Sequence, residues 1–76
     1  MRIVGIDWSR MGRFFQERRE ELGINRTETA SIIGVTSRTI QNIEGGRTAT
    51  DLHTILKLCD LYDLSITALD DFFIRV

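Results

Sequence analysis

Between Asn25 and Arg47 the chain reads N-R-T-E-T-A-S-I-I-G-V-T-S-R-T-I-Q-N-I-E-G-G-R, a stretch that starts and stops a helix twice. Asn25 is a strong N-cap, and Glu28 follows at capping-box spacing. The helix it opens carries Thr29, Ala30, Ile32 and Ile33 and halts at Gly34, where a positive φ costs little without a Cβ. Thr36 or Ser37 caps the next helix, with Ile40 and Ile43 on one face and Gly45-Gly46 as its stop. The connection G34-V-T36 is short enough to join two helices meeting at an angle. Ala30 is small where they cross, Val35 and Ile40 plug the angle, and Ile43 anchors the second helix to a core.

The flanks supply that core. Asp7 or Ser9 can cap a first helix to about Leu22, with Met11, Phe14, Phe15 and Leu22 at helical spacing and Gly23 as stop. Trp8, just before it, fits a hydrophobic staple. After a polar loop, Thr50 or Asp51 caps a fourth helix with a stripe of Leu52, Ile55, Leu56, Cys59 and Tyr62, and Ser65 caps a fifth, Ile66 to about Asp71. Neither repeat nor linker divides the 76 residues, so 1–76 reads as a single domain. The absence of proline favours an all-α fold of five helices. Segments 1–7 and 72–76 lie outside the helical pattern. Both are short and apolar, suited to a strand, an arm or a helix extension, and Phe72, Phe73, Ile74 and Val76, with Ile3 and Val4, are candidates for a dimer contact.

Composition excludes several classes. With 42% hydrophobic and 28% charged residues the chain is globular rather than disordered. One cysteine, Cys59, permits neither an internal disulfide nor a thiolate metal cluster. Cys59 and the single histidine, His53, point different ways on one helix, so they make no nucleophile–base pair. Asp70-Asp71 reads as a solvated helix end. No phosphate loop or metal-binding motif is found, so no catalytic residue, metal site or cofactor is expected. The start is too short and acidic for a secretory signal and no apolar run suits a membrane span, which predicts a cytoplasmic protein.

The net charge of −1 conceals a division. Residues 10–47 carry seven arginines against five glutamates, whereas residues 48–76 carry Lys57 and Arg75 against five aspartates. A basic middle and an acidic end suit a domain that meets nucleic acid with one side. The outward face of the third helix offers Ser37, Arg38, Thr39, Gln41 and Asn42. Arginine pairs bidentately with guanine, asparagine and glutamine pair with adenine, and hydroxyls adapt to several bases.

With R19-E-E-L-G-I-N-R, A30-S-I-I-G-V-T, I40-Q-N-I-E-G-G-R and L52…I55-L…L58-C…L61…L64-S-I-T-A-L in this order, the chain resembles the phage repressor and Cro-type (XRE) helix-turn-helix domains over roughly Phe15 to Leu69. The resemblance implies a lambda-repressor-like fold with the helix-turn-helix at 26–45 and the third helix in the major groove of DNA. It places Ser37, Arg38, Thr39, Gln41 and Asn42 on the base-reading face, and Arg26, Thr36 and Arg47 on phosphates. It also pairs Arg19 with Glu44 to hold helices together. Arg26 stands where the family commonly has a bracing glutamine, Thr29 where it often has leucine, and T48-A-T50 lacks the family's loop proline. The implied function is sequence-specific regulation of transcription by a homodimer on a pseudo-palindromic operator. A repressor or Cro-like protein, a restriction-modification controller and an antitoxin with a toxin partner are varieties of it. The alternative from another class is a protein-interaction adaptor with weak DNA binding, which the near-neutral charge favours.

Overall fold

The computed structural model describes residues 2–76; Met1, which belongs to the extended N-terminal segment expected from the sequence, lies outside the described residues. Among the described residues, four α-helices, one 3-10 helix and two short strands follow one another. They are β1 (Ile3–Ile6), α1 (Trp8–Glu21), α2 (Arg26–Ile33), α3 (Ser37–Glu44), α4 (Leu52–Leu61), the 3-10 helix (Ile66–Phe72) and β2 (Phe73–Arg75). The five-helix architecture expected from the sequence is borne out, with the fifth helix wound as 3-10 and the extended termini paired with each other.

The helix boundaries follow side-chain chemistry. Asp7 caps α1 by accepting the amide of Arg10, so Trp8 opens the helix instead of preceding it. Asn25 and Glu28 form the complete capping box at α2. Gly34 ends α2 in the left-handed region at φ 79°, and its amide and that of Val35 both reach the carbonyl of Ala30. Thr36 caps α3 by accepting the amide of Thr39 at 3.1 Å. Lys57 donates from Nζ to the Ile33 carbonyl at 3.1 Å, placing a cation on the negative end of α2.

One core gathers Met11 and Phe15 of α1, Ala30 and Ile33 of α2, Ile40 and Ile43 of α3, Ile55, Leu58 and Cys59 of α4, and then Tyr62, Leu69 and Phe72. Tyr62 is fully buried, and its hydroxyl donates to Thr29 Oγ1 at 3.3 Å. Thr29 in turn donates back to the Asn25 carbonyl, as expected of a threonine inside a helix. Burial pushes the Tyr62 phenol above its ordinary pKa, and does the same to the Cys59 thiol.

The fourth-helix stripe needs correction. Leu52 is 64% exposed and Leu56 48%, while Leu58, which the stripe omits, is buried at 1%. Leu22 also lies at the surface as the C-cap of α1. One close approach carries no periodic signal. A Cβ on Gly12 would run into the carbonyl oxygens of Ile43 and Glu44, so the bare glycine lets α1 lie against the end of α3.

β1 and β2 pair antiparallel, Ile3 opposite Arg75 and Ile6 opposite Phe73, with a bulge between Ile3 and Gly5. Arg2 and Val76 exchange both backbone hydrogen bonds at 3.0 Å, and the Asp7 amide reaches the Phe72 carbonyl at 2.8 Å. The pair ties the two ends of the chain together directly before α1 and after the 3-10 helix.

Candidate nucleic-acid interface

α3 is held by its inner face and by both ends. Ile40 and Ile43 are buried, Thr36 fixes the first turn, and Glu44 fixes the last. Ser37, Arg38 and Gln41 are exposed, and Thr39 and Asn42 are half-buried beside them. None of these side chains is taken up in an ion pair among the described residues. Thr36 Oγ1 and Thr39 Oγ1 share a hydrogen bond at 3.0 Å, and Ser37 Oγ donates to Thr27 Oγ1 at 3.3 Å. The Ser37–Thr27 contact links the starts of α2 and α3 and the Thr36–Thr39 bond closes the first turn of α3, while the side chains of Arg38, Gln41 and Asn42 make no hydrogen bond among the described residues. Arg47, past the end of α3, is exposed.

The end of α3 is fastened by charge. Arg19 donates from Nε to Glu44 Oε2 at 2.7 Å and from Nη2 to Oε1 at 3.2 Å, and its Nη1 reaches the Ile24 carbonyl at 2.9 Å. The Glu44 hydrogen bond holds the Arg19 guanidinium above its ordinary pKa, against the opposing effect of burial. The two partners implied by the family resemblance are brought together in the structure, which also adds a third. Arg26 donates from Nε to Glu44 Oε1 at 2.9 Å. The amide geometry of the family's glutamine is absent, but a brace from the start of α2 to the end of α3 is present in ionic form. Nothing in spacing along the sequence signals this contact, because 18 residues separate its ends.

The remaining candidates lie elsewhere. Phe72 is buried, stacked at a tilt on Phe14 with ring centroids 5.3 Å apart and with the Arg10 guanidinium over its ring. Phe73 is half-buried, while Ile74 and Val76 are exposed, as are Ile3 and Val4 of the paired strand. His53 is exposed and Cys59 buried, and no group of three His, Cys, Asp or Glu placed to hold a metal occurs among the described residues. Among the described residues, no helix is long and apolar enough to cross a membrane.

Two capped helices joined through a left-handed glycine, the second anchored at both ends with a polar face outward, define a helix-turn-helix domain. The chain belongs to the helix-turn-helix domain family, whose sequence profile matches residues 10–72. The resemblance drawn from the sequence is thereby borne out at the level of the family. No curated protein sequence matches the chain significantly. Among solved structures it is similar to the restriction-modification controller protein C.AhdI from Aeromonas hydrophila, with a TM-score of 0.77 and 25% identity over 83% of this chain and 96% of that one. It shares its fold with the clp gene regulator ClgR from C. glutamicum, with a TM-score of 0.78 and 16% identity over 88% of this chain and 87% of that one. The same fold occupies 33% of the chain of Fe(II)-HppE, matching 86% of this chain with a TM-score of 0.73 and 23% identity.

Proposed function

We propose that the chain is a sequence-specific DNA-binding regulator of transcription that acts as a homodimer on a pseudo-palindromic operator. The observation that carries this reading is the outward face of α3, where Arg38, Gln41 and Asn42 stand without ion-pair partners on a helix fixed at both ends. A helix so presented enters the major groove, and two copies then meet half-sites about 34–36 Å apart. Arg26, Thr36 and Arg47 contact phosphates around it, while Ser37, Arg38, Thr39, Gln41 and Asn42 read bases. The similarity to a restriction-modification controller, 96% of whose chain is covered, supports the controller variety of this reading. In this reading the two copies meet through the tail, where Ile74 and Val76 are exposed, as are Ile3 and Val4 of the paired strand, while Phe73 is half-buried and Phe72 belongs to the core. The protein acts in the cytoplasm and needs no cofactor.

Selection of bound sequences from a random duplex pool, followed by titration at several salt concentrations, tests the reading. A palindromic consensus with steeply salt-dependent affinity is expected. Weak binding indifferent to sequence would favour the adaptor reading instead. Arg38→Ala should relax base choice at one operator position, costing about 1–3 kcal/mol there. Arg47→Ala should weaken all sequences alike and lower the salt slope by about 1. Unchanged specificity in Arg38→Ala would show that the register assigned to the reading face is wrong.

A further inference from the structure

Glu44 is the last residue of α3, and its side chain is only 2% exposed, out of reach of any ligand. A carboxylate at that end of a helix faces the negative pole of the dipole and requires cations. Two arginines supply them in different ways. Arg19, 9% exposed, directs all three guanidinium nitrogens to Glu44 and the Ile24 carbonyl and is used entirely by the fold. Arg26, 39% exposed, directs only Nε inward, and its two terminal nitrogens have no hydrogen-bond partner among the described residues. Two guanidinium groups against one carboxylate leave one positive charge over, and the exposed arginine carries it. Arg26 is the first residue of α2, next to Thr27, which is hydrogen-bonded to Ser37 at the first turn of α3. The Arg26 backbone thus lies near the start of the reading helix, while its guanidinium, and with it the surplus charge, lies against Glu44 at the end of that helix.

We propose that Glu44 is a positioning residue for DNA binding: from inside the protein it holds Arg26 by Nε and turns the two terminal guanidinium nitrogens outward to a backbone phosphate. Only a planar guanidinium serves both ends at once, since an ammonium has a single head that goes either to Glu44 or to the phosphate. Arg19 offsets the charge of Glu44, so Arg26 is oriented by the carboxylate without being neutralised by it. This inference rests on the reading of the chain as a DNA-binding protein. It adds to that reading that a residue touching no DNA sets a phosphate contact and couples it to the seat of the reading helix.

Phosphate contacts do not depend on sequence, so the test uses a random-sequence duplex of about 20 base pairs at low salt, with the full chain. Arg26→Lys keeps the charge and should lose about tenfold in affinity, close to Arg26→Ala, because the lysine remains on Glu44. In a Glu44→Gln background, where the amide still accepts from Arg19, Arg26→Ala should cost less than about twofold, since the arginine is no longer oriented. Circular dichroism establishes that each variant is folded at the temperature of the titration. If Glu44→Gln does not fold, the comparison of Arg26→Lys with the parent decides alone. Parental affinity in Arg26→Lys would overturn the proposal, because charge alone would then suffice. An equal loss on Arg26→Ala in both backgrounds would overturn it too, as would variants that lower the thermal midpoint but leave affinity unchanged. Failure of the parent chain to bind any duplex overturns the DNA-binding reading itself, an outcome distinct from binding without coupling.

Discussion

At the scale of single residues, burial separates ion pairs that hold the protein from those that decorate it. Arg19 and Glu44 are almost wholly desolvated, so Glu44→Ala strands a buried guanidinium and should cost about 3–5 kcal/mol, read as a lower urea midpoint at unchanged slope. The Arg18–Glu21 pair, 30% and 66% exposed, should contribute no more than about 0.5 kcal/mol, and Glu21→Ala should leave the midpoint nearly in place. Equal effects from the two substitutions would contradict this ranking. The Cys59 thiol, buried and pushed up in pKa, should react with a disulfide reagent only as fast as the protein unfolds, and added urea should accelerate labelling. Sequence reading reaches some of these residues: the hydroxyl of Thr29 bonds back to Asn25 as its place in the helix requires. That Tyr62, 33 residues away, also reaches that hydroxyl is a fact of packing, with no local signature.

At the scale of elements, caps and stops are local chemistry and were legible, whereas the buried face of an evenly apolar helix was not. α4 carries Leu52, Ile55, Leu56, Leu58, Cys59 and Leu61, and more than one stripe of these has helical spacing. The packing of neighbouring elements selects Ile55, Leu58 and Cys59, with Tyr62 beyond the helix end, and leaves Leu52 and Leu56 at the surface. The last helix, Ile66–Phe72, is wound as 3-10 and is held at both ends. The Leu64 amide is bonded to Cys59 before it, and the strand pair holds it after Phe72. A 3-10 winding rises about 2.0 Å per residue, against 1.5 Å in an α-helix, and so spans more distance. Gly12 shows how a neighbouring element reverses a local rule. Glycine to alanine inside a helix normally stabilises by about 1 kcal/mol. Here Gly12→Ala pushes a methyl into the α3 carbonyls and should destabilise by about 1–3 kcal/mol, seen as a lower thermal midpoint.

At the scale of the whole molecule, the family's shared region, residues 10–72, leaves out both strands. The strand pair closes the chain on itself and carries exposed Val4, Ile74 and Val76 at its surface. If these side chains meet a second copy, Ile74→Lys together with Val76→Lys should convert a dimer to a monomer in sedimentation velocity. At positions this exposed, monomer stability should change by no more than about 0.5 kcal/mol. The parental sedimentation coefficient in the double variant would remove the tail from the interface. The two charge blocks of the sequence meet in the fold where Arg10 Nη1 lies 3.4 Å from the Asp71 carbonyl oxygen. The surface around α3 bears Arg26, Arg38 and Arg47, while Asp70 and Asp71 lie exposed on the 3-10 helix.

Local chemistry along the chain is enough to say where α2 and α3 begin and end, that the turn at Gly34 is left-handed and which side chains α3 presents outward, and the family resemblance adds the pairing of Arg19 with Glu44. Each rests on capping, on a backbone preference, or on a motif held within a few dozen residues. Packing between distant segments sets which face of α4 is buried, why Gly12 must lack a side chain, and that the two extended ends pair with each other. It also brings Arg26 to join Arg19 on a single carboxylate. These contacts link segments far apart in the chain, so their energy depends on how the helices are arranged and leaves no period or spacing to read. The helix-turn-helix is thus a local property of the sequence, and the fastening of its second helix is a property of the fold.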